Sequence, residues 1–330
     1  MSIRLPDYSD IEAAAQRIAP WAVVTPLLES PALNERVGVR VLLKAEPFQR
    51  TGSFKFRGAC NRLLLIPQAE RKRGVIAFSS GNHAQGVAAA AALFDLPATI
   101  VMPSDAPRAK IDGTRCYGAK VVSYDRKHDD REAIARQIQE ETGATLIKPF
   151  DDPFIVAGQG TAGREMAAQA QALGTRIDRV LVPASGGGVV SGIALAFAHD
   201  SPATKVMSVE PEGYEGMALS LIAGRRTPAS ADKPSMADAL QAPMPGEVPF
   251  AVAKQYLAGG ITVADEALAK AVSYAVRVLK IVIEPSGGAG LAALLSSKLH
   301  NQEEVIGIVL SGGNADPETI ADCCARFPQP

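Results

Sequence analysis

The chain has 330 residues, of which 47% are hydrophobic, and this length predicts two lobes or one large α/β unit with an insert. Its 34 basic and 35 acidic residues leave a formal charge of −1, which argues against a nucleic-acid-binding protein and against a polybasic membrane surface. No apolar run approaches the roughly 20 residues that span a bilayer, and no apolar leader is visible at the amino terminus. The four cysteines show neither CxxC spacing nor high density. We therefore expect a globular cytoplasmic protein with reduced cysteines.

The first predicted element is a helix near the amino terminus. Ser9 and Glu12 have the spacing of a capping box, and apolar residues repeat at helical intervals over 11–18. Pro20 is expected to end this helix.

Strand-like and helix-like segments then alternate along the chain. The strand-like segments are almost continuously apolar, which indicates strands buried on both faces of a parallel sheet. This alternation predicts βαβ units and doubly wound sheets, in which ligands bind at the carboxyl ends of the strands. The proline-rich stretch 224–249 is predicted to be an ordered loop at an active site or interface. The predicted strands are 39–46, 74–80, 98–103, 119–124, 144–149, 179–185, 205–210 and 305–313, and the predicted helices include 83–94, 128–141, 161–173 and 265–280.

The segment GSFKFRGA (52–59) contains a candidate reactive lysine. Lys55 lies between Phe54 and Phe56 just before a helical run, so apolar surroundings would lower its pKa, as Schiff-base chemistry requires. The alternative is a lysine that extends from a helix start toward solvent, and taken alone the segment favours that alternative.

The segment SSGNHAQG (79–86) follows a predicted strand and opens a helix. The free backbone N–H groups at such a helix start suit a carboxylate. His83 has the chemistry of a general base, but no acidic partner is evident, so we interpret it as a capping or packing residue.

Two more loops follow apolar strands. PASGGGVVSG (183–192) places three consecutive glycines between a strand and a helix, which favours a phosphate site over a plain tight turn. LSGGNAD (310–316) offers Ser311 as a hydrogen-bond donor to a ligand ring atom, with a simple turn as the alternative.

A dinucleotide-binding fingerprint is a competing interpretation of the glycines. GQGTAG (158–163) fits G-x-G-x-x-G, and GGGVVSG is followed by Glu210 at the end of the next predicted strand. The residues before Gly158 do not form a clean strand pattern, so the literal match lacks its structural context. A nicotinamide-dependent dehydrogenase is therefore a remote alternative, which would leave the segments around Lys55 and Ser311 without a role.

In order along the chain, six segments resemble the motifs of the fold-type II pyridoxal-phosphate enzymes of the serine/threonine dehydratase and serine racemase family. They are TGSFKFRGA, SSGNHAQGVA, AGQGTAG, PASGGGVVSG, EPSGGAGLAA and LSGGNAD, and they span nearly the whole chain. The resemblance implies a tryptophan synthase β-like α/β fold with two doubly wound, mostly parallel sheets and a small domain inserted in a large one. It implies a large cofactor-binding domain at 1–49 and 151–330, a small domain at 50–150, and a short form without a regulatory domain.

The resemblance also implies roles for individual residues. Lys55 matches the lysine that binds pyridoxal 5′-phosphate and takes the Cα proton, and Ser80 matches the serine that racemases place on the opposite face. The implied cofactor-binding residues are Phe54 beside the ring, Asn82 at the ring hydroxyl, Ser185, Gly186, Gly187, Gly188 and Val189 at the phosphate, and Ser311 at the ring nitrogen. The implied substrate-carboxylate loop is Ser79, Ser80, Gly81, Asn82 and His83.

The implied reaction is β-elimination of water from a β-hydroxy amino acid, L-threonine or L-serine first, to give a 2-oxo acid and ammonia. A neutral Ser311 at the ring nitrogen favours loss of the β-group over a long-lived carbanion. The alternatives are 3-hydroxyaspartate or another small hydroxy amino acid as substrate, and serine racemisation through Ser80. Hydroxyaspartate needs a further cation, which the sequence does not assign, because Arg57 belongs to the motif and Arg225 and Arg226 are expected at the surface. A non-catalytic binding protein would not need Lys55.

Racemase-like relatives bind a divalent cation, Mg²⁺ or Ca²⁺, near the phosphate loop through acids that follow a strand. Glu210 fits the first ligand, but Gly216 stands where a second acid is expected, with Glu215 beside it. The alternative for Glu210 is a solvated strand end. The resemblance suggests a homodimer, and we expect no nucleic-acid or membrane partner.

Overall fold

The computed structural model describes residues 3–79, 81–106, 108–296 and 304–329. They form two sheets flanked by helices, as the alternation of segments predicts. The strands are β1 (Leu27–Glu29), β2 (Arg40–Ala45), β3 (Val75–Phe78), β4 (Ala98–Pro103), β5 (Lys120–Tyr124), β6 (Thr145–Leu146), β7 (Arg179–Pro183), β8 (Lys205–Pro211), β9 (Leu257–Val263) and β10 (Val305–Leu310). The helices are α1 (Tyr8–Ile18), α2 (Pro31–Val37), α3 (Lys55–Leu64), α4 (Asn82–Leu93), α5 (Arg108–Cys116), α6 (Arg131–Thr142), α7 (Pro153–Ala172), α8 (Gly188–Asp200), α9 (Gly216–Ala223), α10 (Glu247–Tyr256), α11 (Asp265–Tyr274), α12 (Ala289–Ser296) and α13 (Pro317–Arg326).

The larger sheet has the strand order β1-β2-β10-β7-β8-β9 and the smaller sheet has the order β5-β4-β3-β6. All pairings are parallel except β1 with β2. The smaller sheet lies entirely between residues 75 and 146, inside the range predicted for the small domain. The domain bounds themselves stay a prediction.

The central strands are buried on both faces, which confirms the interpretation of the apolar runs. In β7, Leu181 packs into one hydrophobic core, while Val180 and Val182 pack into another. Since successive side chains of a strand point to opposite faces, both faces of the larger sheet are covered. No helix in the described ranges is long and apolar enough to cross a membrane.

The start of α1 differs from the prediction by two residues. The capping residue is Asp7 rather than Ser9, and its side chain accepts a hydrogen bond from the backbone N–H of Asp10 at 3.1 Å. The Asp10 carboxylate accepts the N–H of Asp7 in return, also at 3.1 Å. The prediction of a Ser9–Glu12 box is wrong because Asp is as good a cap as Ser, and the Ser9 hydroxyl donates to Asp7 instead.

The GQGTAG segment lies inside α7, a helix of 20 residues that begins at Pro153, after the capping side chain of Asp152. An ideal Cβ on Gly158 would lie 2.6 Å from the Cα of Gly58 on α3, so glycine is needed there for the two helices to pack closely. The glycines of this segment serve helix packing, and the dinucleotide interpretation of GQGTAG is excluded. The helix starts earlier than predicted because tertiary packing overrides the low helix propensity of glycine.

Candidate active site

A cavity of about 250 Å³ lies where the segments that follow β3, β6, β7 and β10 meet. These are carboxyl ends of parallel strands, the place where α/β folds bind ligands. The structure brings almost all the predicted site residues to this cavity. Those that line it are Phe54, Lys55, Ser79, Gly81, Asn82, His83, Ser185, Gly186, Gly187, Gly188, Val189 and Ser311.

Lys55 is the first residue of α3 and lines the cavity. Its Nζ atom donates a hydrogen bond to the Pro149 carbonyl at 3.0 Å and lies 5.2 Å from the centre of the Phe54 ring. Burial lowers the pKa of Lys55 to about 8, although the negative charge of Glu284 opposes the shift. The predicted lowering of this pKa is confirmed, and the alternative of a lysine that extends to bulk solvent is wrong.

The loop from Ser185 to Val189 joins β7 to α8. Gly187 has a φ of 94°, in the left-handed region that glycine adopts without steric cost, and an ideal Cβ on Gly186 would lie 2.2 Å from the Phe150 ring. None of the backbone N–H groups from Ser185 to Val190 donates a hydrogen bond to another described residue. Such donors at the start of a helix suit an anion such as a phosphate, and a phosphate site here stays a prediction.

Asn82 is held by Glu284 and Asn314, two side chains that were not among the predicted site residues. Its Nδ2 atom donates to Glu284 Oε1, and its Oδ1 atom accepts a hydrogen bond from Asn314 at 2.8 Å. These bonds fix the amide and leave the second N–H of Nδ2 for a ligand. Burial raises the pKa of Glu284 to about 7. Glu284 is the first residue of the EPSGGAG segment. The sequence motif therefore contains this residue, but the motif does not show that Glu284 holds Asn82.

Ser311 follows β10 and lies beside the start of α3. The Phe54 N–H donates to the Ser311 carbonyl at 3.1 Å, and Ser53 forms an isolated bridge with Gly312. These contacts join the end of β10 to the start of α3, so that Ser311 and Lys55 line the same cavity. Ser311 brings an uncharged hydroxyl to this wall, and its role at a ring nitrogen stays a prediction.

The predicted carboxylate loop lies at the start of α4. Its backbone N–H groups at 82–84 donate no hydrogen bond within the described ranges, as an anion site requires. Burial, together with the positive charge of Lys55, lowers the pKa of His83 to about 3, and its Nε2 lies 2.9 Å from the Ile147 carbonyl. A neutral, buried imidazole agrees with the interpretation of His83 as a packing residue. Ser80, the other predicted catalytic residue, lies outside the described residues.

Glu210 has a different environment from the one predicted. The residue is 0% exposed, so the solvated strand end is wrong. Its carboxylate oxygens accept the backbone N–H groups of Met217 and Ala218 at 2.8 and 2.9 Å, which caps the start of α9. Burial raises the pKa of Glu210 to about 8. No group of three His, Cys, Asp or Glu side chains suited to a metal occurs among the described residues. Both Glu210 oxygens are engaged by the backbone at the start of α9, unlike the accessible carboxylate that a nucleotide ribose needs. A divalent cation at this position stays a prediction.

Besides Glu284, four charged residues at the cavity were not predicted from the sequence. Lys110 lies on α5, Arg126 precedes α6, Arg131 begins α6, and Asp238 lies in the proline-rich stretch. Residues 238–242 of this stretch line the cavity, which agrees with the prediction of an ordered loop at an active site or interface. No local motif marks these residues, and only the tertiary fold brings them to the site.

The residues around the cavity fit pyridoxal phosphate, the cofactor that the resemblance implies. This cofactor needs a lysine amine, donors for its phosphate and a partner for its ring nitrogen. Lys55 supplies an amine of lowered pKa, the backbone at 185–190 supplies N–H donors, and Ser311 supplies an uncharged hydroxyl.

Comparison with known proteins gives consistent matches over most of the chain. A family model described as pyridoxal-phosphate dependent enzyme matches residues 18–312. The L-threo-3-hydroxyaspartate ammonia-lyase of Saccharomyces cerevisiae is 41% identical, covering 96% of this chain and 96% of that protein. The serine racemase of Schizosaccharomyces pombe is 41% identical, covering 96% of this chain and 97% of that protein. The structure of maize serine racemase superimposes with a TM-score of 0.91 at 36% identity, covering 98% of this chain and 98% of that one.

Proposed function

The chain belongs to the family of pyridoxal-phosphate dependent enzymes, and on this premise we propose that it is an ammonia-lyase that eliminates water from a β-hydroxy amino acid. Loss of the Cα proton and the β-hydroxyl as water gives an enamine, whose imine tautomer is hydrolysed by a second water molecule to a 2-oxo acid and ammonia. The observation that carries the proposal is that Lys55 and Ser311 line one cavity together with residues 185–189. The pKa of Lys55 is lowered to about 8, Ser311 is uncharged, and the backbone N–H groups of 185–189 donate to no other described residue.

The side chains divide the work of the elimination. Bound pyridoxal phosphate supplies the electron sink for breaking the Cα–H bond. Lys55 Nζ takes the Cα proton, which requires its neutral amine. The N–H groups at the start of α4 hold the substrate carboxylate. Ser311 would face the ring nitrogen of the cofactor with an uncharged hydroxyl, which would not hold a proton there and so would favour rapid loss of the β-hydroxyl.

Within this class we propose 3-hydroxyaspartate as the preferred substrate, ahead of the threonine and serine that the family resemblance implies. Arg126 and Arg131 line the cavity with Lys55. Arg126 pairs with Asp105 at 2.7 Å. Arg131 makes no ion pair with another described residue, and its guanidinium lies 5.4 Å from the centre of the Phe78 ring. A guanidinium at this position supplies the cation that a second substrate carboxylate needs.

The test is release of 2-oxo acid from a panel of amino acids by the holoenzyme. The panel contains L-threonine, L-serine, the 3-hydroxyaspartate diastereomers and their D-forms. We expect the largest kcat/KM on a 3-hydroxyaspartate. No 2-oxo acid from any member would overturn the ammonia-lyase, and D-serine from L-serine without oxo acid would establish a racemase instead.

Replacing Arg131 with methionine should lower kcat/KM for 3-hydroxyaspartate by about 10- to 100-fold, the loss of one charged hydrogen-bonded contact. The kcat/KM for L-serine should change by less than about threefold, because serine has no second carboxylate. The matched control is Arg136→Met on the same helix, since Arg136 is exposed, pairs with Asp130 at 3.8 Å and does not line the cavity. An equal loss of kcat/KM on both substrates would show that Arg131 does not bind the second carboxylate.

The lowered pKa of Lys55 predicts how cofactor loading depends on pH. Only the neutral amine attacks an aldehyde, so the rate at which cofactor-free protein binds pyridoxal phosphate should rise with pH and level off above about 8. Because the charge of Glu284 raises this pKa, Glu284→Gln should move the midpoint to lower pH. The rate is followed by the absorbance of the bound cofactor. Nα-acetyl-lysine, whose side-chain amine has an unshifted pKa, serves as the reference. A midpoint near 10 would show that the protein does not lower the pKa of Lys55.

A further inference from the structure

Lys110 contacts several parts of the cavity at once. Its side chain is 7% exposed, and its Nζ donates a hydrogen bond to Asp238 Oδ2 at 2.5 Å and lies 3.9 Å from Glu284 Oε2. An ideal Cβ on Gly81 would lie 3.4 Å from the same Nζ. The Lys110 ammonium therefore lies beside the loop that precedes α4, between the Asp238 carboxylate at the cavity rim and the buried Glu284 carboxylate.

Asp238 belongs to residues 237–242, which we call the mouth segment. Its residues 238–242 line the cavity, and the Asp238 side chain is 46% exposed. On the side of the larger sheet, two hydroxyls hold the segment: Ser286 Oγ accepts the N–H of Ala239 at 3.0 Å, and Ser185 Oγ accepts the N–H of Ala242 at 2.9 Å. On the side of the smaller sheet, Lys110 makes the one ion pair with the mouth segment among the described residues.

The charges around Lys110 keep it protonated. Although burial opposes the charge, Glu284 and Asp238 raise the pKa of Lys110 above its usual value. Glu284 Oε2 is buried and has no hydrogen-bond partner among the described residues. This oxygen is a second acceptor for Lys110 if Asp238 is removed.

We propose that Lys110 is a positioning residue that holds the mouth segment over the cavity by pairing with Asp238. The pair connects α5, which follows a strand of the smaller sheet, to a segment that is otherwise attached to the larger sheet. Without this ion pair, the mouth segment is held only on the side of the larger sheet, and substrate binding must order the segment. Ordering the segment weakens binding of the substrate and of the transition state equally. As a result, KM rises while kcat changes little.

The test compares hydrogen exchange in the holoenzyme and its variants Lys110→Met and Asp238→Asn. We expect the amides of Ala239 and Ala242 to exchange at least about tenfold faster in both, as loss of a charged hydrogen bond predicts. The double variant should exchange no faster than the Lys110→Met variant, because either change alone already removes the Lys110–Asp238 ion pair. Lys270→Met, which removes an exposed pair with Glu266 at 2.6 Å, is the control and should leave these amides unchanged.

Two results would overturn the proposal. The first is unchanged exchange of the mouth segment in both single variants. The second is faster exchange spread over the strands of the smaller sheet, which would mean a general loss of stability. The kinetic readout, a KM about tenfold higher with kcat within about threefold, rests on the proposed function. The exchange readout needs no turnover, so its failure is distinguishable from failure of the proposed reaction.

Discussion

Replacing Lys55 with alanine is expected to lower 2-oxo acid release from every substrate by at least about 10³-fold. A positioned acid–base group alone contributes about 10²- to 10⁴-fold, and Lys55 also anchors the cofactor in our assignment. No other lysine among the described residues of the cavity is placed to replace it, because Lys110 pairs with Asp238 at 2.5 Å.

The measurement has two parts. Steady-state rates are compared between the parent enzyme and the Lys55→Ala variant, and borohydride reduction followed by peptide mapping shows which lysine carries the cofactor. The matched control is Lys148→Ala, since Lys148 is 49% exposed, lies outside the cavity lining and is near Pro149, which accepts the Lys55 hydrogen bond. Cofactor trapped on another lysine, or activity within tenfold of the parent enzyme, would contradict the assignment of Lys55.

The fold could be predicted wherever its signals are local. The apolar segment 305–313 predicted a buried strand, and β10 is that strand, although it ends at Leu310, three residues earlier. β9 was missed because Gly259 and Gly260 interrupt its apolar pattern, and its burial alternates as expected for an edge strand. The start of α7 was misjudged because packing of Gly158 against α3 is a tertiary contact that no local pattern shows.

The site was predictable where its residues are contiguous in sequence. The segments around Lys55 and Ser311 are short, glycine-rich and follow strands or precede helices, and the structure places them at one cavity. Lys110 and Arg131 lie in polar stretches typical of an exposed surface, so only the packing of α5 and α6 reveals them. Glu210 shows the opposite limit, because sequence cannot distinguish a buried carboxylate that caps a helix from a solvated one at a strand end.

A buried group of charges anchors the helix that carries Lys55. Arg57, two residues further along α3, is 0% exposed and donates to Glu46 at 2.8 Å and to Glu165 at 2.7 Å. Lys44, also 0% exposed, donates to Glu165 at 2.7 Å. The carboxylates raise the pKa of Arg57 above its usual range although burial opposes its charge. Arg57 is engaged in these pairs and does not line the cavity, which agrees with leaving it unassigned as the cation for a second substrate carboxylate.

Replacing Arg57 with methionine is therefore expected to lower the free energy of unfolding by about 3–5 kcal/mol, because it leaves a buried carboxylate without its partner. Glu46 is 0% exposed and cannot recover its hydration without opening the structure. Arg57→Lys should recover only part of the loss, since a lysine has no fork of donors with which to span two carboxylates. Urea unfolding of the cofactor-free variants, followed by circular dichroism, measures the change.

The matched control is Arg40→Met, which removes an exposed pair with Glu29 at 2.9 Å, with side chains 37% and 33% exposed. Exposed pairs contribute about 0–1 kcal/mol, so this variant should unfold close to the parent protein. If Arg57→Met costs no more than Arg40→Met, the buried charges do not stabilise the anchor of α3. In that case the orientation of Lys55 would have to depend on the contacts of Phe54 with Ser311 and on the packing of α3 against α7.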